Sequence, residues 1–367
     1  MSMCLNRFGG LAVGQEDEQK RYFREKRLYT LQVESTDACR QGCIYCYAGS
    51  SPKETRALSS QEIRALLEDA ARLDIRAIDW LGGDPLERPD WAELMAYARS
   101  LGRTNNVWTS GLPLRDPGVA RMVTDLTEGG FVSVHVDSVF PETYARLHRG
   151  GNPQNIAMVV EGVDNLLAAG KSPDQIINCI TYTSLQPPED AIETMRWWLK
   201  EKGMRTCLTM FNPARNGPGW QSLVPGPAQI RLVYRERDAL NYGPHGGTIG
   251  AMDTDKFYCG TMATVTFAGD VTACSVIRKG VGNIRTTPFS RILEEHLGEL
   301  IHDPLHDERN MPAPCGTCRD NTHCWGCRAS AYYYGGDANG LDPKCWMMKE
   351  VRDPAPAPVQ IFDPGGM

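Results

Sequence analysis

The sequence predicts an α/β fold built on a parallel sheet, and three observations carry that prediction. From Leu28 to about Phe211, short apolar runs of strand character alternate with segments of helical spacing. There are six such runs, each followed by a helix or a glycine- or proline-bearing loop, which is the signature of βα units. The composition, 41 % hydrophobic and 23 % charged over 367 residues, is that of a chain able to bury a large core.

The elements follow in order. Residues 1–27 are polar and read as a lead-in segment with one helix, leaving no room for a further N-terminal recognition domain. Tyr29–Val33 alternates and reads as the first strand. Ser60–Leu73 has helical spacing, with Ser59 or Ser60 as its cap. Ala77–Leu81, Asn106–Thr109, Phe131–Val136, Ile176–Tyr182 and Arg205–Phe211 are the other strands. Trp91–Leu101, Gly118–Leu126, Ile156–Ala168 (ended by Gly170) and Asp190–Lys202 are the helices between them. Residues 212–247 are rich in proline and glycine and read as a linker with a helix near Gln229–Leu240. A cysteine-rich region spans 248–350, and 351–367 is an extended tail.

A net charge of −6 argues against a general nucleic-acid binder, and no apolar run approaches the roughly 20 residues of a membrane span. There is no signal-peptide pattern near the N-terminus. Thirteen cysteines without such a pattern point to metal binding in a reducing cytoplasm rather than to a disulfide framework.

Three of them form Cys39-Arg-Gln-Gly-Cys43-Ile-Tyr-Cys46 on the loop leaving the first strand. The spacing C-x3-C-x2-C also suits one face of a helix, but Gly42 and the Ser35-Thr36-Asp37 run favour a loop. Soft thiolates in such a cluster select zinc, copper(I) or iron–sulfur chemistry. A closed zinc site would want a fourth ligand close by, and Tyr47-Ala48-Gly49 offers none.

The stretch resembles the signature of the radical S-adenosylmethionine (SAM) superfamily, with Tyr45 as its aromatic position. The resemblance implies an open partial (β/α)6 barrel and a [4Fe–4S] cluster on Cys39, Cys43 and Cys46. Its fourth iron would take SAM, whose reductive cleavage gives a 5′-deoxyadenosyl radical. Gly82-Gly83-Asp84-Pro85, at the end of the second strand, resembles the family's GGEP motif, which holds the SAM amino group, with Asp in place of Glu. Taken alone, this stretch is also ordinary turn chemistry. Ser110 ends the third strand; His135 and Asp137 end the fourth, where relatives bind the SAM ribose and carboxylate. His135 is either a contact to SAM or substrate, or a hydrogen-bonded core histidine. Arg149 is either a clamp for the SAM carboxylate or a surface arginine.

Seven further cysteines, Cys259, Cys274, Cys315, Cys318, Cys324, Cys327 and Cys345, form a second array. Two C-x2-C pairs in it would suit zinc. The array resembles the motif of the SPASM extension, which carries two auxiliary [4Fe–4S] clusters, with x2 rather than x3 between Cys324 and Cys327. By that resemblance Cys315, Cys318, Cys324 and Cys345 ligate the distal cluster. Cys259, Cys274 and Cys327 ligate the proximal one, leaving its fourth position to an aspartate of Asp253-Thr254-Asp255 or open. Cys4 has no assigned role, Cys179 reads as core, and Cys207 as core or site. Tyr332, Tyr333 and Tyr334 are expected to pack over the clusters.

The resemblance implies an oxidoreductase that modifies a ribosomally made peptide, served by a flavodoxin or ferredoxin as reductant. Oxidation or decarboxylation of a small molecule or tetrapyrrole side chain is the second reading. A non-enzymatic zinc or iron–sulfur binding protein is a third, of another class. A sulfatase-maturing role loses support because Ser275, not an Asp base, follows Cys274.

Overall fold

The computed structural model describes residues 15–214, 219–243 and 254–345. Cys4, Asp253 and the tail lie outside them. The helix expected in the lead-in is α1 (Gln15–Arg24). The repeating units that follow are β1 (Thr30–Thr36), α2 (Ser60–Arg72), β2 (Ala77–Gly82), α3 (Trp91–Ser100), β3 (Thr104–Trp108), α4 (Pro117–Leu126) and β4 (Val132–His135). Next come α5 (Pro141–Leu147), α6 (Gln154–Ala168), β5 (Ile176–Tyr182), α7 (Pro188–Lys202) and β6 (Arg205–Met210). Beyond them lie α8 (Pro227–Tyr242), α9 (Lys256–Cys259), β7 (Met262–Val265), β8 (Asp270–Thr272), β9 (Gly282–Asn283), α10 (Phe289–Leu300) and α11 (Arg328–Gly335).

Strands β1 to β6 pair in parallel in sequence order, as βα units demand. The sheet does not stop at β1. β7 pairs with it in parallel, Thr30 opposite Met262, and β8 and β9 add antiparallel strands, giving nine strands among the described residues. Helix α8 packs on α7 and β6, so the stretch expected to be a linker also supplies outer layer. Tyr234 of α8 donates to the Leu208 carbonyl at 2.9 Å.

Period-two alternation sorts the strand side chains. Leu31, Val33, Ile78, Trp80, Val107, Val132 and Val134 face the helices and form the main core with Leu67, Leu94, Val123 and Val163. Phe289 and Ile292 of α10 extend that core over Val265 and Val271. The alternate positions, Gln32, Trp108, Ser133, His135, Cys179, Thr181, Cys207 and Thr209, line a cavity on the opposite face. Local signals start the helices: Ser59 caps α2 in a reciprocal capping box with Glu62, and Asp116 caps α4.

Candidate active site

The cavity has a volume of about 360 Å³, within the usual range for small-molecule sites. Cys39, Cys43 and Cys46 line one side of it. Their loop is held between two neighbours. On one side the Cys39 amide donates to the Ser51 carbonyl (2.8 Å), and the buried Asp37 carboxylate accepts from Thr55 N and Arg56 N at 2.8 and 3.1 Å. On the other, Gly83 N donates to the Thr36 carbonyl and Asp84 N to the Ala38 carbonyl, each at 2.6 Å. A Cβ on Gly82 would lie 2.3 Å from the Thr36 oxygen, and one on Gly83 would lie 2.1 Å from that of Ala38. These glycines line the cavity, but their smallness serves chiefly to bring the β2 exit against the cysteine loop.

Asp84 corrects one expectation. Its buried carboxylate accepts from Thr109 Oγ1 (2.8 Å to each oxygen), Ser110 N (2.9 Å), Ser110 Oγ and Leu86 N (3.1 Å). It is filled by the chain, does not line the cavity, and holds the β3 exit; Pro85 opens the following turn behind it. Burial raises its pKa, and the hydroxyl donors offset that only in part. Ser110, by contrast, does line the cavity. Arg149 is exposed and outside the cavity, as the surface-arginine reading has it, and its backbone amide donates to Gly42 O at 2.7 Å.

His135 lines the cavity beside Tyr45. Tyr45 Oη lies 2.7 Å from His135 Nε2 and donates to Asp137, which is fully buried beneath both. Asp137 is also 3.2 Å from His135 Nε2 and 3.6 Å from His148 Nε2, and accepts from Thr181 N at 2.9 Å. Burial raises the Cys43 thiol, but the charge and hydrogen bonds of His135 and His148 outweigh it and bring it down to about 6. Burial of His135 favours its neutral form, but the Asp137 and Cys43 charges prevail and lift its pKa well above the usual value. Cys39 moves the other way, pushed up by burial and by Asp84 and Cys43.

The C-terminal cysteines fall into two groups. Cys259 ends α9, Cys274 follows β8, and Cys327 precedes α11; all three line the same cavity as the Cys39–Cys46 loop. Burial pushes the Cys274 thiol up to about 12, and Cys327 adds to it by charge repulsion. Thr254 Oγ1 lies 3.3 Å from Cys259 Sγ, while Asp255 Oδ1 caps α9 through Phe257 N and Tyr258 N. Cys315, Cys318, Cys324 and Cys345 lie outside the cavity; burial, followed by Gly326 N, Cys345 and Cys315 among its neighbours, sets Cys324 at about 12. Tyr332, Tyr333 and Tyr334 pack with Cys274 and Cys327. Tyr333 Oη donates to the Val276 carbonyl at 2.9 Å.

Sequence reasoning missed a polar floor. Tyr258 donates to the buried Asp79, which also accepts from Asn106 Nδ2 at 2.8 Å; Gln32 Oε1 accepts from Thr264 Oγ1 at 2.7 Å. It also missed the buried pair Glu34–Arg278, at 2.5 and 3.0 Å, which ties β1 to the loop after Cys274. The available signal was a charged residue at the inward position of an apolar strand. Cys179 and Cys207 face each other across β5 and β6 and line the cavity, so the core reading of Cys179 gives way to a wall position.

Three thiols with an adjacent glycine-lined backbone and hydroxyl-bearing walls, all on one cavity, suit a cluster and a zwitterionic cofactor. This is the architecture of an iron–sulfur enzyme that works on SAM. Residues 33–198 match the model of the radical SAM superfamily. The chain carries a radical SAM domain over those residues. It is 25 % identical over 338 residues to mycofactocin maturase MftC of Mycobacterium ulcerans, covering 86 % of this chain and 87 % of that one. It is 26 % identical to PqqA peptide cyclase of Streptomyces rochei (91 % and 95 % covered) and 24 % identical to AdoMet-dependent heme synthase of Methanosarcina barkeri (85 % and 94 %). The fold superposes on Streptococcus suis SuiB bound to precursor peptide SuiA with a TM-score of 0.64 at 13 % identity, covering 90 % of this chain and 79 % of SuiB.

Proposed function

We propose that the enzyme is an oxidoreductase that modifies a ribosomally made peptide. The observation that carries this is the placement of two cysteine sets on one cavity. A cluster and SAM bound at Cys39, Cys43 and Cys46 would supply a hydrogen-abstracting carbon radical, and a cluster at Cys259, Cys274 and Cys327 would supply an electron acceptor. Cys315, Cys318, Cys324 and Cys345 would hold a further cluster away from the substrate, facing a reductant of the flavodoxin or ferredoxin class. Such thiolates call for a reducing compartment, for which the cytoplasm is the natural reading.

The chain's own residues do the rest. Trp108, Tyr258 and Met262 form an apolar wall that excludes water from the cavity. Ser133, Thr181 and Thr209 present hydroxyls to it, suited to orienting a peptide backbone. Ser110 and the Gly82–Gly83 backbone are suited to the SAM amino acid moiety. Thr254 Oγ1 lies beside Cys259, where the fourth position of that cluster would be open or taken by an aspartate.

PqqA peptide cyclase and peptide-bound SuiB support the peptide reading; the heme synthase supports the tetrapyrrole alternative. The test is reconstituted enzyme with SAM and dithionite, offered synthetic precursor peptides or tetrapyrroles. A peptide that accelerates 5′-deoxyadenosine release and loses two hydrogens supports the proposal. Acceleration by tetrapyrroles alone would overturn it.

A further inference from the structure

One constellation shares only Cys43 with the function proposed above. Cys43 Sγ, His135 and His148 present ligand atoms that all lie within 4.8 Å of one another. Asp137 Oδ2 stands 3.2 Å from His135 Nε2 and 3.6 Å from His148 Nε2. In a tetrahedral zinc site with bonds of about 2.0 Å, neighbouring nitrogen and oxygen ligands sit about 3.3 Å apart. The Asp137 distances are near that spacing, but the ligand atoms that converge within 4.8 Å are those of Cys43, His135 and His148.

Three further features are those of a built site. His148 Nδ1 donates to the Tyr144 carbonyl at 2.8 Å, which turns Nε2 toward Cys43 and Asp137. That nitrogen is buried and has no hydrogen-bond partner. A metal-bound histidine is usually held this way, by a carbonyl on its other nitrogen. The Thr181 amide holds Asp137 Oδ1, while Tyr45 Oη donates to Oδ2 and lies 2.7 Å from His135 Nε2, a hydroxyl that a bound cation would displace from the imidazole. His135 and Cys43 both line the cavity, which gives an ion its entry path. The backbone fixes the register: Cys43 and His148 form a bridge, and Ile44 N donates to Leu147 O at 3.0 Å.

We propose that, before its cluster is built, this chain binds a zinc-class divalent cation at Cys43, His135 and His148, with the Asp137 carboxylate beside the two imidazoles. Mixed sulfur and imidazole donors suit zinc, not iron–sulfur assembly. Because Cys43 is shared, zinc and the SAM cluster exclude each other; this second clause rests on the reading of Cys43 as a cluster ligand. The site would make cluster loading sensitive to zinc.

The test uses the full chain stripped of iron, equilibrated with zinc and washed with a weak chelator. Zinc per chain is counted for wild type, His148→Gln, His135→Asn and Cys39→Ala. Any zinc on the C-terminal cysteines is common to all four and cancels. Each histidine variant is expected to hold one zinc fewer than wild type, and Cys39→Ala the same number. Undiminished zinc in both histidine variants, or an equal loss in Cys39→Ala, overturns the site; the latter would put the metal on the cysteine loop alone. In a second arm, zinc loading is expected to lower subsequent iron uptake in wild type but not in His148→Gln. Zinc counts as expected with undiminished iron uptake would keep the site but overturn the exclusion, and would count against Cys43 as a cluster ligand.

Discussion

At the scale of single residues, much of the site was legible because its chemistry is written in spacing. The Cys39–Cys46 motif, Gly82–Gly83, Ser110 and His135 all reach one cavity. What spacing could not reveal is what each residue touches. Asp84 looks like a ligand for an ammonium group, but Thr109, Ser110 and Leu86 already fill it. Arg149 looks like a clamp, yet only its backbone is engaged with the cysteine loop. His148 stood unremarked next to Arg149, because nothing local signals that a β-bridge will bring it against Cys43. Gly83 gives the sharpest test at this scale. A Cβ there would meet the Ala38 backbone oxygen at 2.1 Å, and backbone cannot rotate aside. Gly83→Ala is expected to cost about 1–3 kcal/mol, the usual range for overpacking. It should also reduce iron bound at the N-terminal loop. Urea unfolding and iron content measure the two effects, and a variant unchanged in both would contradict the packing described.

At the scale of elements, helices α2, α3, α4, α6, α7 and α8 and the first six strands were legible from periodicity and caps, whereas α5, α9, α10 and α11 were not. The register of β7 was not. Met262–Val265 is only four residues long and takes its partner from β1, more than 200 residues earlier. Short strands of this kind are stabilised by their neighbours, not by their own sequence. The same contact explains the buried Glu34–Arg278 pair, whose partners have relative exposures of 0 % and 5 %. Removing one member leaves the other charge buried and unpaired. Arg278→Met should therefore destabilise by about 3–5 kcal/mol, whereas Glu34→Leu combined with Arg278→Met should cost less than that single change. A double-mutant cycle by urea denaturation reads this directly; equal losses in the single and double variants would contradict it.

At the scale of the whole molecule, the boundaries proposed from composition, 28–211, 212–247 and 248–350, cut through a continuous sheet. α1 bridges the same two parts: Tyr22 donates to Asp74 at 2.7 Å, and the Phe23 ring stacks on His306 at 3.8 Å. A fragment ending at residue 243 would expose the β1 edge where β7 pairs, a template for aggregation. It is expected to be aggregated on size-exclusion chromatography while the full chain is not; a stable monomeric fragment would restore the composition-based boundary. Joining the two parts through one sheet is what brings the two cysteine groups to a single cavity. That placement is the central claim, and iron and sulfide content after anaerobic reconstitution tests it most directly. Wild type is compared with two triple variants, Cys39→Ala/Cys43→Ala/Cys46→Ala and Cys259→Ala/Cys274→Ala/Cys327→Ala. Roughly twelve irons in wild type, falling by about four in each variant, is the expected result. Iron unchanged by the first triple would contradict the assignment of the SAM cluster, and iron unchanged by the second would remove the electron acceptor from the cavity.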